Sequence, residues 1–125
     1  MTEHSRYRVT LSIPWIVQGA PAVQDAINIA VSEAGKRVSE ADSPHVHQCD
    51  ISIQMLSCTA CGTPMEAVLV VAETALVGLT LECIVSARSP EDAEQTTRRE
   101  LGTAFDGTPI VPVGTVRADP YSDAE

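Results

Sequence analysis

Two cysteines three residues apart are the residues in this sequence best suited to chemistry. Cys58-Thr-Ala-Cys61 is followed by Gly62, which allows the tight backbone conformation of a turn. Two thiolates at this spacing form half of a structural zinc site. Cys58 and Cys61 are therefore the predicted metal ligands, and zinc is the predicted cofactor.

A redox dithiol is the main alternative for this pair. In thioredoxin-like proteins the two cysteines open a helix, whose N-terminus lowers the pKa of the first thiol. Here Thr63-Pro64 follows the pair, and the pair lies between two strand-like segments, so the contribution of a helix is missing. Zinc is favoured over redox chemistry, and two free thiols in a turn are the third possibility.

Tetrahedral zinc requires four ligands, and the remaining candidates within the chain are weak. Cys49 lies on an extended segment about 23 Å from the turn, at roughly 3.3 Å per residue. His45 and His47 are farther away and are expected on the same strand face as Cys49. Cys83 alternates with apolar residues and is interpreted as a small buried hydrophobic residue. The same cysteine pair from a second chain completes the site more simply, which predicts a homodimer with zinc shared between chains.

Hydrophobic alternation predicts the strands on which this turn depends. Tyr7 to Val17 alternates throughout, and a second alternating run covers 48–55. Two further strands, 67–71 and 78–87, are expected on either side of a break at 74–78. A last strand is expected over 110–117.

Two segments carry the spacing of amphipathic helices. The first follows the turn at 18–21 and runs to about Val38. The second begins at Ser89-Pro90, with Ser89 as N-cap and Asp92 completing a capping box, and runs to about Phe105.

The two helical segments share an internal repeat. Asp25-Ala26 and Glu33-Ala34-Gly35 match Asp92-Ala93 and Glu100-Leu101-Gly102 at identical spacing, and each copy lies between strands. Two strand-helix-strand units predict an α+β fold, specifically a ferredoxin-like β-α-β-β-α-β sandwich with an extra strand and a CxxC turn in the central hairpin. Residues 1–118 are predicted to form one domain, and 119–125 an acidic tail.

Charge and hydropathy limit the location of the protein. The sequence has 17 acidic and 8 basic residues, a net charge of -9, and Lys36 as its only lysine. Two interpretations are open, an ordinary acidic protein and a halophilic protein from a salt-rich cytosol, and the second is favoured because salt screens the self-repulsion. The longest apolar stretches fall short of the roughly 20 residues of a membrane span, and no secretory signal is recognised at the N-terminus. A cytoplasmic protein is predicted.

Several segments resemble an archaeal protein family. They are the Ala26-Ile-Asn-Ile-Ala-Val-Ser-Glu-Ala-Gly-Lys-Arg37 helix, the Cys58-x-x-Cys61-Gly62 turn, Thr74-Ala-Leu-Val-Gly-Leu79 and the Glu-x-Gly of the second helix. From Tyr7 to about Val113 the chain is similar to the archaeal domain of unknown function 555 family. Thr59 and Thr63 stand where typical members have Pro and Glu. The resemblance implies an archaeal origin and implies no activity.

The leading hypothesis is a non-enzymatic zinc module that acts by binding a partner. The first alternative is an RNA-binding module, which is disfavoured because no aromatic residue lies on a polar strand face and no basic stripe is present. The second is an enzyme or small-ligand sensor in which Glu33 and Glu100 do acid-base work, or in which the Thr74 to Gly78 break lines a cleft.

Overall fold

The computed structural model describes residues 4–41, 43–105 and 107–118, which form seven strands and two helices. The predicted acidic tail, 119–125, lies outside the described residues. In chain order the elements are β1 (Ser5–Gln18), α1 (Val23–Glu40), β2 (Val46–Ile53), β3 (Met55–Ser57), β4 (Pro64–Glu66), β5 (Val68–Val71), β6 (Thr74–Ala87), α2 (Pro90–Gly102) and β7 (Val111–Arg117).

Five strands form one sheet, and two form a separate hairpin. The main sheet has the order β2-β6-β1-β7, and β5 also pairs with β6. Its strand pairs are antiparallel, and β3 pairs with β4 in the small hairpin. The fold is therefore α+β, with two helices and a mostly antiparallel sheet.

The centre of the sheet is the β1–β6 pair, which is in register over 14 residues from Ser5 opposite Ala87 to Gln18 opposite Thr74. Successive side chains of a strand point to opposite faces, so the alternation in both strands separates a core face from an open face. The predicted alternation of β1 is confirmed. Its apolar members are buried with the matching residues of β6, among them Val9, Leu11, Leu79 and Leu81.

Both helices pack on the core face. Small residues allow the close approach of α1 to the sheet, since Ala26, Ala30 and Ala34 are all buried. In α2, Ala93 and Leu101 occupy the equivalent positions of the repeat and are also buried. In the described part of the chain, no helix combines the length and the apolar composition needed to cross a membrane.

The start of α2 confirms the predicted N-cap. The Ser89 hydroxyl accepts a hydrogen bond from the Asp92 backbone N–H at 3.1 Å, and Pro90 occupies the first turn. The return bond differs from a capping box, because the Asp92 carboxylate accepts from the backbone N–H of Arg88 at 3.0 Å instead of that of Ser89. The helix ends at Gly102, so the prediction that it reaches Phe105 was wrong by one turn.

The two strands predicted around the Thr74 to Gly78 segment are separate, but the break lies at 72–73, and Thr74 to Gly78 belongs to β6, which runs through it unbroken. The interruption at Gly78 is on the neighbouring edge strand. Gln54 N–H donates to Gly78 O at 2.8 Å, and Gly78 N–H donates to Ala67 O at 2.7 Å. β2 and β5 thus occupy the same edge of β6 on either side of Gly78, and the β3–β4 hairpin leaves the sheet between them.

Gly78 is needed at this junction because two segments approach its backbone closely. A Cβ at position 78 would lie 2.9 Å from Ala67 Cβ and 3.0 Å from Gln54 Oε1. We expect Gly78→Ala to lower the free energy of unfolding by about 1–3 kcal/mol, since the backbone at Ala67 must shift. Urea denaturation provides the measurement.

Gly114→Ala is the matched control for this substitution. Gly114 lies on β7, and a Cβ there meets no atom within 4 Å. Alanine should leave stability unchanged or raise it by about 0.4–1 kcal/mol, because it restricts the unfolded chain. Equal urea midpoints for Gly78→Ala and the natural protein would contradict the close approach at Gly78.

Candidate functional site

Cys58 and Cys61 lie in the connection between β3 and β4, at the tip of the small hairpin. Cys58 N–H donates to Thr63 O at 2.9 Å, which closes the hairpin, and Gly62 N–H donates to Cys58 O at 2.8 Å. Gly62 has a φ of 77°, in the left-handed region that glycine adopts without strain. Cys61 is exposed and Cys58 is half-buried.

Hydrogen bonds around Cys61 favour its thiolate. The Thr63 hydroxyl lies 2.9 Å from Cys61 Sγ. The hydrogen bond with this hydroxyl makes the largest contribution to lowering the pKa of Cys61. Smaller contributions come from hydrogen bonds with the Thr63 backbone and the Cys58 side chain. A thiolate is both the nucleophilic and the metal-binding form of cysteine. Thr63 therefore contributes directly to the ionisation of Cys61.

In the part of the chain that the structure describes, no further ligand-type side chain joins this pair. Among residues 4–41, 43–105 and 107–118, no group of three or more His, Cys, Asp or Glu side chains is arranged to hold a metal ion. Cys49 and Cys83 lie within the main sheet, on β2 and β6. The hairpin thus presents two candidate ligands.

Cys49 and Cys83 form a second thiol pair, which was not predicted from the sequence. They are directly opposite each other on β2 and β6, and their sulfur atoms are 2.8 Å apart. The interpretation of Cys83 as a buried residue is confirmed, because its exposed fraction is 0%. Each cysteine alternates with core residues on its own strand, and this alternation was the signal from which the pair could have been predicted.

The two histidines near β2 occupy separate environments. His45 precedes the strand, and its Nδ1 lies 2.6 Å from Glu100 Oε2. His47 Nε2 lies 2.6 Å from the hydroxyl of Ser86, a residue on the open face. The expectation that His47 shares the strand face of Cys49 was wrong, because a register shift between Val46 and Gln48 rotates the strand at this position.

The two repeat glutamates connect each helix to another part of the fold. Trp15 Nε1 donates to Glu33 Oε1 at 2.8 Å, and the backbone N–H of His45 donates to Glu100 Oε1 at 3.1 Å. Glu100 also lines a cleft of about 570 Å³ with Arg37, Arg99 and the C-terminal end of α1. Each carboxylate therefore joins its helix to a segment distant in the sequence, and Glu100 also pairs with the His45 imidazole.

The open face of the sheet carries an apolar row next to the hairpin. Leu69 pairs with Leu76, which pairs with Ile16, and these side chains are 62%, 42% and 63% exposed. A groove of about 490 Å³ separates this row from the hairpin residues Leu56 and Met65. Leu76 and Gly78 line this groove. Part of the Thr74 to Gly78 segment, which was expected to border a cleft, therefore does so. Exposed apolar surface of this kind is typical of binding sites.

None of the aromatic residues that the structure describes supplies a stacking surface. Tyr7, Trp15 and Phe105 are all buried on the core side, where Trp15 and Phe105 make an edge-to-face contact at 5.8 Å. Within the described residues, no aromatic ring is therefore exposed on the open face for stacking on unpaired bases.

The fold and the site define a small α+β protein with helices on one face of its sheet and a two-cysteine hairpin projecting from an edge. The chain belongs to the family described as "Protein of unknown function (DUF555)", whose model matches residues 7–118. The family resemblance predicted from the sequence motifs is confirmed.

Relatives in several archaea match most of this chain. A UPF0212 protein of Halorubrum lacusprofundi is 38% identical over 122 residues, which cover 97% of this chain and 96% of the relative. A UPF0212 protein of Methanocella arvoryzae is 39% identical over 114 residues, covering 90% and 97%. One from Archaeoglobus fulgidus is 39% identical over 105 residues, covering 83% and 89%.

Proposed function

We propose that this protein is a non-enzymatic, partner-binding module of the archaeal cytosol in which Cys58 and Cys61 bind zinc that is shared with a second copy of the chain. The observation that carries the proposal is the exposed Cys61 thiol and the half-buried Cys58 thiol at the tip of a hairpin whose residues Leu56 and Met65 line an apolar groove. The pair supplies two ligands, and the groove supplies the surface for a partner.

The residues at the tip fit zinc on chemical grounds. Structural zinc sites use thiolate ligands, and the Thr63 hydroxyl favours the thiolate of Cys61. The backbone bonds that close the hairpin limit the freedom of both cysteines before a metal arrives. In the cytosol, such thiols remain reduced and available to a metal. Bound zinc would hold the hairpin tip in a fixed position, which is a structural role.

The missing ligands favour a second chain. Two thiolates leave half of a tetrahedral site open, and the described residues bring no third ligand to the pair. A two-fold axis beside the hairpin tip supplies Cys58 and Cys61 of a second copy. This arrangement is isologous, as in most homodimers.

The apolar surface of the same hairpin also favours a second copy of the chain as the partner. Leu56 and Met65 of this hairpin are 44% and 48% exposed, and they line the groove together with Leu76. In an isologous contact each hairpin can bury these side chains against the surface of the other chain. Zinc ligation and apolar burial would then act at one interface.

Native mass spectrometry of protein made without a purification tag tests this proposal. We expect a two-chain species with one zinc ion, which is about half a zinc per chain. Removal of the metal with a chelator should convert it to single chains, because the shared ligands are then lost. A metal-free monomer with four free thiols, or a monomer that retains one zinc, would each contradict the proposal.

We also infer that the architecture is ferredoxin-like. The supporting observation is the order β2-β6-β1-β7, in which β1-α1-β2 and β6-α2-β7 form two strand-helix-strand units of one antiparallel sheet. In this interpretation, β5 and the β3–β4 hairpin are additions to the edge at β2. The candidate zinc hairpin is then an insertion into a common scaffold.

A further inference from the structure

The Cys49–Cys83 pair has the backbone placement of a disulfide. Residues directly opposite each other in an antiparallel pair have Cα atoms about 4.5–5.5 Å apart, and disulfides span Cα distances of about 4.4–6.8 Å. Cys49 and Cys83 are opposite each other, and their sulfur atoms, 2.8 Å apart, already point toward one another. A bond between them requires only a small movement of the two side chains.

The two thiols have different access to solvent. Cys83 is completely buried beneath the helices, whereas Cys49 on the outer strand β2 is half-buried. The hydrogen bond with Cys83 lowers the pKa of Cys49 and is the largest effect on it. Burial and the negative charge of Asp50 act in the opposite direction. The same bond and burial raise the pKa of Cys83. Cys49 is thus the accessible nucleophile, and Cys83 is held next to it.

We propose that Cys49 and Cys83 form a reversible disulfide by exchange with a low-molecular-weight disulfide. The Cys49 thiolate attacks one sulfur of the small disulfide and releases one small thiolate, leaving a mixed disulfide on Cys49. Cys83 loses its proton and attacks Cys49 Sγ, which releases the second small thiol. The protein loses two electrons and two protons, and the small disulfide is reduced to two thiols.

The site is independent of the hairpin cysteines, so it is tested in a Cys58→Ser/Cys61→Ser background that keeps only Cys49 and Cys83. The probe is excess oxidised glutathione at mildly alkaline pH, followed by intact-mass and peptide analysis. We expect a mass decrease of about 2 Da, a Cys49–Cys83 linked peptide and no lasting glutathione adduct. Dithiothreitol should restore both thiols.

Two variants in the same background separate the steps. With Cys83→Ala we expect a stable glutathione adduct on Cys49, because the thiol that displaces glutathione is gone. With Cys49→Ala we expect folded protein whose Cys83 stays unmodified, because that sulfur is buried. Circular dichroism of each variant confirms that it is folded.

Two outcomes in the background that keeps both thiols would overturn the proposal. One is a lasting glutathione adduct on Cys49, and the other is two free thiols after prolonged exposure to the probe. This background lacks Cys58 and Cys61, the proposed zinc ligands. Disulfide formation between Cys49 and Cys83 is therefore tested independently of the proposed zinc binding. Linked-peptide mapping of the natural protein repeats the test without any substitution.

Discussion

The double substitution Cys58→Ser/Cys61→Ser is expected to abolish zinc binding and to convert the two-chain species into single chains. Serine hydroxyls are not structural zinc ligands, so both halves of the proposed shared site would be lost together. We expect the zinc content to fall by at least about tenfold, because metal affinity depends on the complete set of deprotonated ligands. Metal analysis and native mass spectrometry on the same samples provide the measurement.

The fold of the chain should survive this double substitution. Cys61 is exposed and Cys58 is half-buried at a hairpin tip away from the core, so the free energy of unfolding of the metal-free chain should change by less than about 0.5 kcal/mol. Cys49→Ser is the matched control, because it removes a thiol from the main sheet and leaves the hairpin intact. Zinc retained at the natural level in the double variant would show that the ligands lie elsewhere.

Leu81→Ala is expected to cause the largest loss of stability. Leu81 is fully buried on β6, between Leu11 of β1 and Ile51 of β2. Removing its side chain sacrifices apolar burial and leaves a cavity at the centre of the sheet. We expect the free energy of unfolding to fall by about 2–5 kcal/mol, measured by urea or thermal denaturation. Loss on that scale is a large part of the roughly 5–15 kcal/mol that stabilises a typical domain.

The neighbouring residue gives the control for this substitution. Glu82 is exposed on the open face and lies directly opposite Asp50. Like charges opposite each other across strands are destabilising, so Glu82→Ala should leave stability unchanged or raise it by about 0.2–1 kcal/mol. A similar loss for Leu81→Ala and Glu82→Ala would be inconsistent with the separation of core and open faces.

Local patterns predicted the elements that form the core. The alternation in β1 indicates which residues are buried because the side-chain period of a strand is two wherever the strand lies. The start of α2 was predictable for a similar reason, since the Ser89 cap involves residues only three positions apart. The incorrect prediction of a strand break at Thr74 to Gly78 also has a local origin. Glycine there indicated a break, whereas it accommodates the close approach of Ala67 and Gln54 within an unbroken β6.

The candidate zinc ligands were recognisable from spacing, and their surroundings were not. Cys58 and Cys61 are close in sequence, so their proximity needs only a turn. Leu56 and Met65 of the hairpin line a groove with Leu69 of β5 and Leu76 of β6, which pairs with Ile16 of β1. No local pattern states that these strands are neighbours. The apolar row is exposed because both helices of the described residues pack on the core face of the sheet.

By itself, the sequence determined the family, the α+β class, the core face of the long strands and the cysteine pair of the hairpin. The tertiary structure alone decided that Cys49 meets Cys83, that His47 turns toward Ser86 and that the hairpin leaves the sheet beside Gly78. The physical reason is strand register. The two-residue period of a strand assigns each side chain to one face of the sheet. Which side chain it meets on the neighbouring strand depends on the pairing of distant segments, and near His47 on the register shift between Val46 and Gln48.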